Sequence, residues 1–247
     1  MKLGKKPARH DKRTLLFENY LDKAALPVPP ATFGHDDLVK SPWQMLGNDR
    51  FGDCVFAGAA HETMLWNAER KQTAIFNDAC VLGDYAAVTG FSAADPSSDQ
   101  GTNVLDALNY RRKYGIRDAH GRRHKIGGFV ALRPGNLEHL NAALYLFGAV
   151  GIGIVFPASA MEQFNADQPW SVVHSKTDGG HYIPLVRRAP GFYDCITWAK
   201  LQAMTQEFYV KYCDEAYAIL STEMLVKGKS LEGFDLAQLQ ADLAAVK

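Results

Sequence analysis

The stretch GNDRFGDCVFAGAAH, residues 47–61, decides how this chain is read. Its first half, Gly47 to Asp53, holds two glycines, one asparagine and two aspartates, a composition that favours bends over a regular element. Its second half opens a helix, because Val55, Phe56, Ala59, Ala60, Thr63, Met64 and Ala68 recur at helical spacing. Cys54 stands at the junction. A helix start presents unpaired N–H groups and a partial positive charge, which favour a thiolate over a thiol. Position alone does not make a nucleophile, since most buried cysteines are inert core residues.

Outward from that junction the first half of the chain stays helical. A second helical stretch is predicted over Ile75 to Val88 and a third from about Asn103 to Tyr114, with Gly115 placed as a C-cap glycine. A loop from Phe91 to Gly101 separates them. The second half changes character. Residues 123–132 alternate toward a strand, Asn136 to Phe147 reads as a helix with Asn136 as N-cap, and Gly151 to Phe156 is a short apolar strand. Paired strands are expected at His181–Arg187 and Phe192–Trp198 about the turn Pro190-Gly191, with Phe208 and 216–221 completing the sheet. Helices first and strands later imply an α+β architecture of two lobes with a cleft between them. The loops 91–101 and 157–178 are expected to line that cleft.

His181 follows Asp178-Gly179-Gly180, where absent side chains let another group approach closely and a strand fixes the imidazole. A histidine so held can take a thiol proton. The order carries more than either residue. An early cysteine at a loop-to-helix junction precedes a histidine on a strand by more than a hundred residues, and a Trp-bearing strand end follows.

In that order the chain resembles the papain-like cysteine peptidases, over roughly residues 25–220. GNDRFGDCVFAGAAH (47–61) is similar to the family's nucleophile loop and helix, and GTNVLDALNYRRKYGI (101–116) to its glycine-bounded A-L helix. Residues 136–172 are similar to its helix, small-residue strand and aromatic-rich loop. GGHYIPLV (179–186) and ITWAK (196–200) resemble its His strand and its N-S-W segment. The resemblance implies Cys54 as nucleophile, His181 as acid and base, the Asn48 amide and the Cys54 backbone N–H as oxyanion donors, and Trp198 as a shield over the imidazole.

Four departures stand out. Asn48 replaces the family's glutamine, one methylene shorter. Ile196 replaces the asparagine that orients the histidine, which leaves Thr197 or Asp194 to supply the acceptor. Asp53 beside Cys54 is expected to raise the thiol pKa. Phe51 occupies the place of a disulfide cysteine found in many secreted relatives.

The implied activity is thiol hydrolysis of peptide or isopeptide bonds, with a catalytically silent binding or structural module and a Cys–His acyl transferase as alternatives. The implied partner is a peptide or protein in the cleft, and no cofactor is expected. His61-Glu62 begins a zincin-like pair, but Leu65 stands where the second histidine is needed.

Composition bounds these readings. The 247 residues are 47% apolar and 22% charged, with a formal net charge of zero, so no overall field favours nucleic acid or an anionic membrane. The apolar run Ala142 to Phe156 is broken by glycines and too short to span a bilayer. Cys54, Cys80, Cys195 and Cys213 are irregularly spaced, which argues against a disulfide scaffold or zinc ribbon. The basic start MKLGKKPARHDKR has no apolar run behind it, so a secretory signal is not expected. A cytoplasmic or otherwise non-secreted setting is expected, with a virion as the setting for a silent module. Residues 1–24 are read as a basic N-terminal arm, mobile over 2–13 as a solvated tail or else a docking arm for a partner or nucleic acid, 25–225 as the peptidase-like domain and 226–247 as a tail whose residues 231–246 form an amphipathic helix. No long inhibitory segment is expected ahead of residue 25.

Overall fold

The helical pattern after Gly52 is realised as α1 (Cys54–Glu69), and every residue from Cys54 to Asn67 is buried. A helix buried all round belongs in an interior, and α1 lies there, against the sheet on one side and two further helices on the other, its His61, Glu62, Thr63 and Asn67 buried with the apolar residues. The computed structural model describes residues 1–20 and 28–223; the helix expected over 231–246 and the boundaries expected at 24/25 and 225/226 lie outside the described residues. The helices flanking α1 are α2 (Asp78–Thr89) and α3 (Val104–Lys113). Asn77 caps α2, accepting from the backbone N–H of Cys80 at 3.0 Å, and Asn103 caps α3 through Leu105 at 3.1 Å. Gly115 ends α3 with φ +76°, a conformation that suits a residue without Cβ.

The second half is an antiparallel sheet. Its strands run in the order β4 (Ile126–Leu132), β9 (Cys213–Ser221), β5 (Val150–Pro157), β6 (Thr177–Ala189), β7 (Phe192–Thr197) and β8 (Lys200–Thr205), and the short β1 (Phe33–Gly34) also pairs with β6. A separate ribbon joins β2 (Ile116–Arg117) to β3 (Arg123–His124). Helix α4 (Leu137–Phe147) packs on the sheet, with Leu140, Leu144 and Phe147 in one apolar cluster with Ile152, Ile183 and Leu185. A second cluster joins α1, α2 and α3 to Tyr182, Val186 and Ile219. Alternate residues of β6 thus serve both clusters, as the pleat requires. The molecule is α+β, helical in its first half and sheet in its second.

Gly58 sets the depth at which α1 meets β6. A Cβ there would lie 2.7 Å from the Tyr182 ring. The Tyr182 hydroxyl donates to Glu62 at 2.7 Å, and Glu62 is ion-paired with Arg111 of α3 at 2.7 Å, all three buried. The Glu62 carboxylate of the His61-Glu62 pair is therefore committed to joining the two halves.

Three expectations are corrected. Phe208 lies in helix α6 (Gln206–Tyr212), not in the sheet, because the Thr205 hydroxyl caps its N–H at 3.1 Å and starts a turn of helix. The stretch 157–178 is not all loop: Ala158–Asn165 forms α5, begun after Pro157, whose fixed φ suits a helix entry. The basic arm is not a solvated tail over residues 2–6. Lys5 is buried, and the backbone of this segment bonds to Asn48, Gly180 and Thr102.

Candidate active site

Loop, helix, strand and turn each deliver one side chain to the line where the two halves meet. Cys54 is the first residue of α1 and is 1% exposed. His181 is the fifth residue of β6, opposite Ile154 of β5, and is also 1% exposed. Both line one small cavity of about 10 Å³, together with Asn48, His61, Tyr182, Ile196, Thr197 and Trp198.

The imidazole is held on two sides. Its Nε2 shares a hydrogen bond of 2.7 Å with the Thr197 hydroxyl, and the Trp198 indole stacks on its face. Its Nδ1 is buried and has no hydrogen-bond partner among the described residues. Trp198 reaches this place through a two-residue turn between β7 and β8, with φ +45° at Trp198 and +66° at Ala199. Both central residues of such a hairpin turn need positive φ, a requirement usually met by Asn-Gly. A Trp-Ala pair here costs about 1–3 kcal/mol for each residue. The turn holds because the indole is locked among Phe156, Phe164 and Trp170.

Of the two acceptors left open by Ile196, Thr197 contacts the imidazole. The Asp194 carboxylate turns instead toward the Arg187 guanidinium, 3.9 Å away, at the Arg187–Asp194 register pair of β6 and β7. Ile196 is buried within the apolar cluster of α1.

Burial pushes the Cys54 thiol up to about 12; the Tyr182 backbone N–H draws it back, Asp53 adds to the rise, and the Gly4 backbone N–H again opposes it. Burial likewise lowers His181 to about 3. Near neutral pH both groups are therefore neutral. Burial also holds the Asp53 carboxyl well above the usual carboxylate range, so the repulsion it could exert on a thiolate is weak.

Asn48 reaches into the groove. Its side-chain N–H donates to the Lys2 carbonyl at 3.2 Å and to the Phe51 carbonyl at 3.0 Å, while the Asn48 main-chain carbonyl accepts from the Lys2 N–H at 3.0 Å. His61 is turned away from metal chemistry: Nε2 lies 2.8 Å from the Trp43 carbonyl, and burial lowers its pKa to about 4.

The residues that sequence reasoning missed all belong to what fills the groove. Lys2–Lys6 lies along it, with Gly4 against Cys54, the Gly4 carbonyl accepting from Thr102 N–H at 2.7 Å, and Lys5 N–H donating to Gly180 at 3.0 Å. The signal was present as a glycine inside a basic run, Lys2-Leu3-Gly4-Lys5-Lys6, and as Asp214-Glu215 at the head of an otherwise apolar strand. Of the loop 91–101 expected at the cleft, Asp99 pairs with Lys2 and Gly101 abuts Gly4.

No family model and no curated protein matches the sequence. Solved structures do match the fold. Xylellain, a cysteine protease from Xylella fastidiosa, superposes with a TM-score of 0.69 at 15% identity, over 89% of this chain and 96% of that one. Procathepsin B from Trypanosoma congolense gives 0.60 at 11% identity, over 89% and 86%. A cysteine protease of Carica candamarcensis gives 0.56 at 11%, over 77% and 98%. At such identities the likeness is one of backbone, and on that ground the chain carries the papain-like cysteine-protease fold.

Proposed function

We propose that the chain is a thiol hydrolase of peptide or isopeptide bonds, with Cys54 as nucleophile and His181 as acid and base. One observation carries this reading: Cys54 at a helix start shares a small cavity with a histidine whose Nε2 is engaged and whose Nδ1 is unpartnered among the described residues. With the Nε2 proton donated to Thr197, the lone pair sits on Nδ1 and can take the thiol proton. The thiolate then attacks the carbonyl carbon, and the imidazolium protonates the leaving amine. Water, deprotonated by the same ring, releases the acyl group. The Asn48 amide, which already donates to a carbonyl in the groove, and the Cys54 N–H would hold the oxyanion, each worth on the order of 3 kcal/mol. Trp198 keeps water from one face of the ring.

The closed thiol must be uncovered first, because Gly4 lies against it. The test is mass-mapped labelling by iodoacetamide, with peptide hydrolysis measured alongside, on the full chain and on Gly4→Val. Cys54 is expected to label faster in Gly4→Val, and Cys54→Ala is expected to abolish hydrolysis. Hydrolysis that survives Cys54→Ala would overturn the reading.

A second reading is favoured by the filled groove itself: a silent module that holds a peptide without cutting it. An uncovered Cys54 that labels readily but hydrolyses no peptide in a diverse library would favour that module. Acyl transfer is separated from hydrolysis by adding a primary amine and identifying the product.

A further inference from the structure

Lys5 is the buried cation that the groove was not expected to contain. Its side chain is 1% exposed, and its ammonium lies 2.8 Å from Asp214 Oδ2 and 3.2 Å from Glu215 Oε1. Glu215 is itself 2% exposed at the side chain, and among the described residues the Lys5 ammonium is the partner that its Oε1 faces. The other oxygen, Oε2, accepts from the Tyr217 hydroxyl at 3.0 Å, which fixes the carboxylate. Space for the lysine stem is made at Gly153: a Cβ there would stand 2.0 Å from Lys5 Cε. Two carboxylates, a missing side chain and a fixed rotamer make a pocket shaped and charged for a basic side chain.

The pocket opens on the line of the sulfur. Lys5 is the neighbour of Gly4, whose N–H lies against Cys54. Its backbone is held as an extended peptide would be, by Gly180 on one side and Thr102 flanking on the other. The glycines along this track, Gly101 and Gly180, leave room for main chain: a Cβ would meet the Gly4 carbonyl at 2.1 Å and the Lys5 carbonyl at 2.4 Å.

We propose that the pocket of Asp214, Glu215 and Gly153 is the subsite for a lysine or arginine side chain of the peptide substrate, and that Lys5 holds it in the substrate's place. The inference rests on the hydrolase reading for the word substrate, but not for the binding. A peptide laid along the groove would place the side chain next to its sulfur-facing residue in this pocket. Small residues, glycine above all, would be taken opposite the sulfur, where Gly4 already meets Gly52 with no space for a Cβ.

The experiment has a binding arm and a turnover arm. In the first, the full chain carrying Cys54→Ala and Lys5→Ala is titrated with fluorescein-labelled Lys-Leu-Gly-Lys-Lys and with the same peptide bearing norleucine as fourth residue. The lysine peptide is expected to bind at least roughly tenfold more tightly, since a buried ion pair is lost in its competitor. Adding Glu215→Gln is expected to remove the difference; should that variant fail to fold, Gly153→Ala, which narrows the pocket and keeps the charge, is expected to weaken the lysine peptide. Equal binding of the two peptides would overturn the proposal. In the second arm, a peptide library is cut by the full Lys5→Ala chain and the products are sequenced. Lysine or arginine is expected to be enriched at one position. Turnover with no basic preference would overturn the subsite and leave the hydrolase reading standing. Charge-selective binding with no turnover would overturn the hydrolase and leave the subsite standing.

Discussion

The Trp198 indole lies over the His181 imidazole with ring centroids 4.4 Å apart and planes 15° from parallel. The same turn that produces this stack ends the strand at Thr197, so one hairpin corner supplies both the cover over the ring and the hydroxyl at its edge. Two supports placed by one local conformation are gained or lost together. Each can still be tested separately.

Thr197→Val removes the hydroxyl and keeps the shape. A hydrogen bond to a charged imidazolium is worth about 1.5–3 kcal/mol, so kcat is expected to fall by about 10- to 100-fold. Thr197→Ser should restore most of it, whereas Asp194→Asn should leave kcat within a few-fold of the parent. Kinetic constants of the three chains, with a common peptide, check the assignment.

Gly4→Val leaves the groove unaltered and makes the segment misfit, because a Cβ at Gly4 would lie 1.9 Å from the Gly52 carbonyl oxygen. The rate of Cys54 alkylation is expected to rise by at least roughly tenfold, as removal of burial lets the thiol pKa fall toward its ordinary value. Unchanged alkylation would show that Lys2–Lys6 does not limit access.

Stability is expected to fall as the solution is acidified below about pH 6.5. His61 and His181 are held near 4 and 3 by burial, whereas in the unfolded chain they take protons at about 6.5. Between those values the unfolded state binds more protons, so stability rises with pH by up to about 1.4 kcal/mol per unit for each ring. His61→Gln is expected to remove about half of that slope in urea titrations between pH 4.5 and 6.5. His124 acts in another window: burial lowers it, but Glu223 and Asp118 more than offset this. Its net rise contributes stability below 6.5 that is lost only as pH climbs through the raised value.

Arg111→Met leaves Glu62 buried beside Tyr182 without its cation, and a loss of about 3–5 kcal/mol is expected. Adding Glu62→Gln should recover part of it. Urea midpoints of the single and double variants measure both.

Much of this frame could be read from the residues. The junction at Cys54, the helix that follows and the glycine after α3 are local patterns of spacing and capping, and they lie where the spacing predicts. The strand expected to open at His181 is part of β6, which begins four residues earlier, at Thr177. What could not be read depends on contacts distant in sequence. Lys5 meets Asp214 and Glu215 across more than two hundred residues, so a basic run that looks solvated by composition is in part a buried ligand. Sequence does not distinguish Thr197 from Asp194; strand register separates them, since Asp194 opposes Arg187 while the hydroxyl of Thr197 turns to the imidazole.

The placement of Gly153 has a further consequence. It is paired with Tyr182 on one side and Glu215 on the other, so the floor of the lysine pocket belongs to a hydrogen-bonded ladder and not to a loop. Such walls lose no freedom when a guest arrives; the ordering cost falls on the guest, about 2 kcal/mol for a lysine side chain. Lys5 is part of the same molecule, and a tethered occupant acts at an effective concentration of about millimolar. A separate peptide of equal fit would have to approach that concentration to displace it. The groove is then less a switch than a threshold, set by the tether and the ladder together.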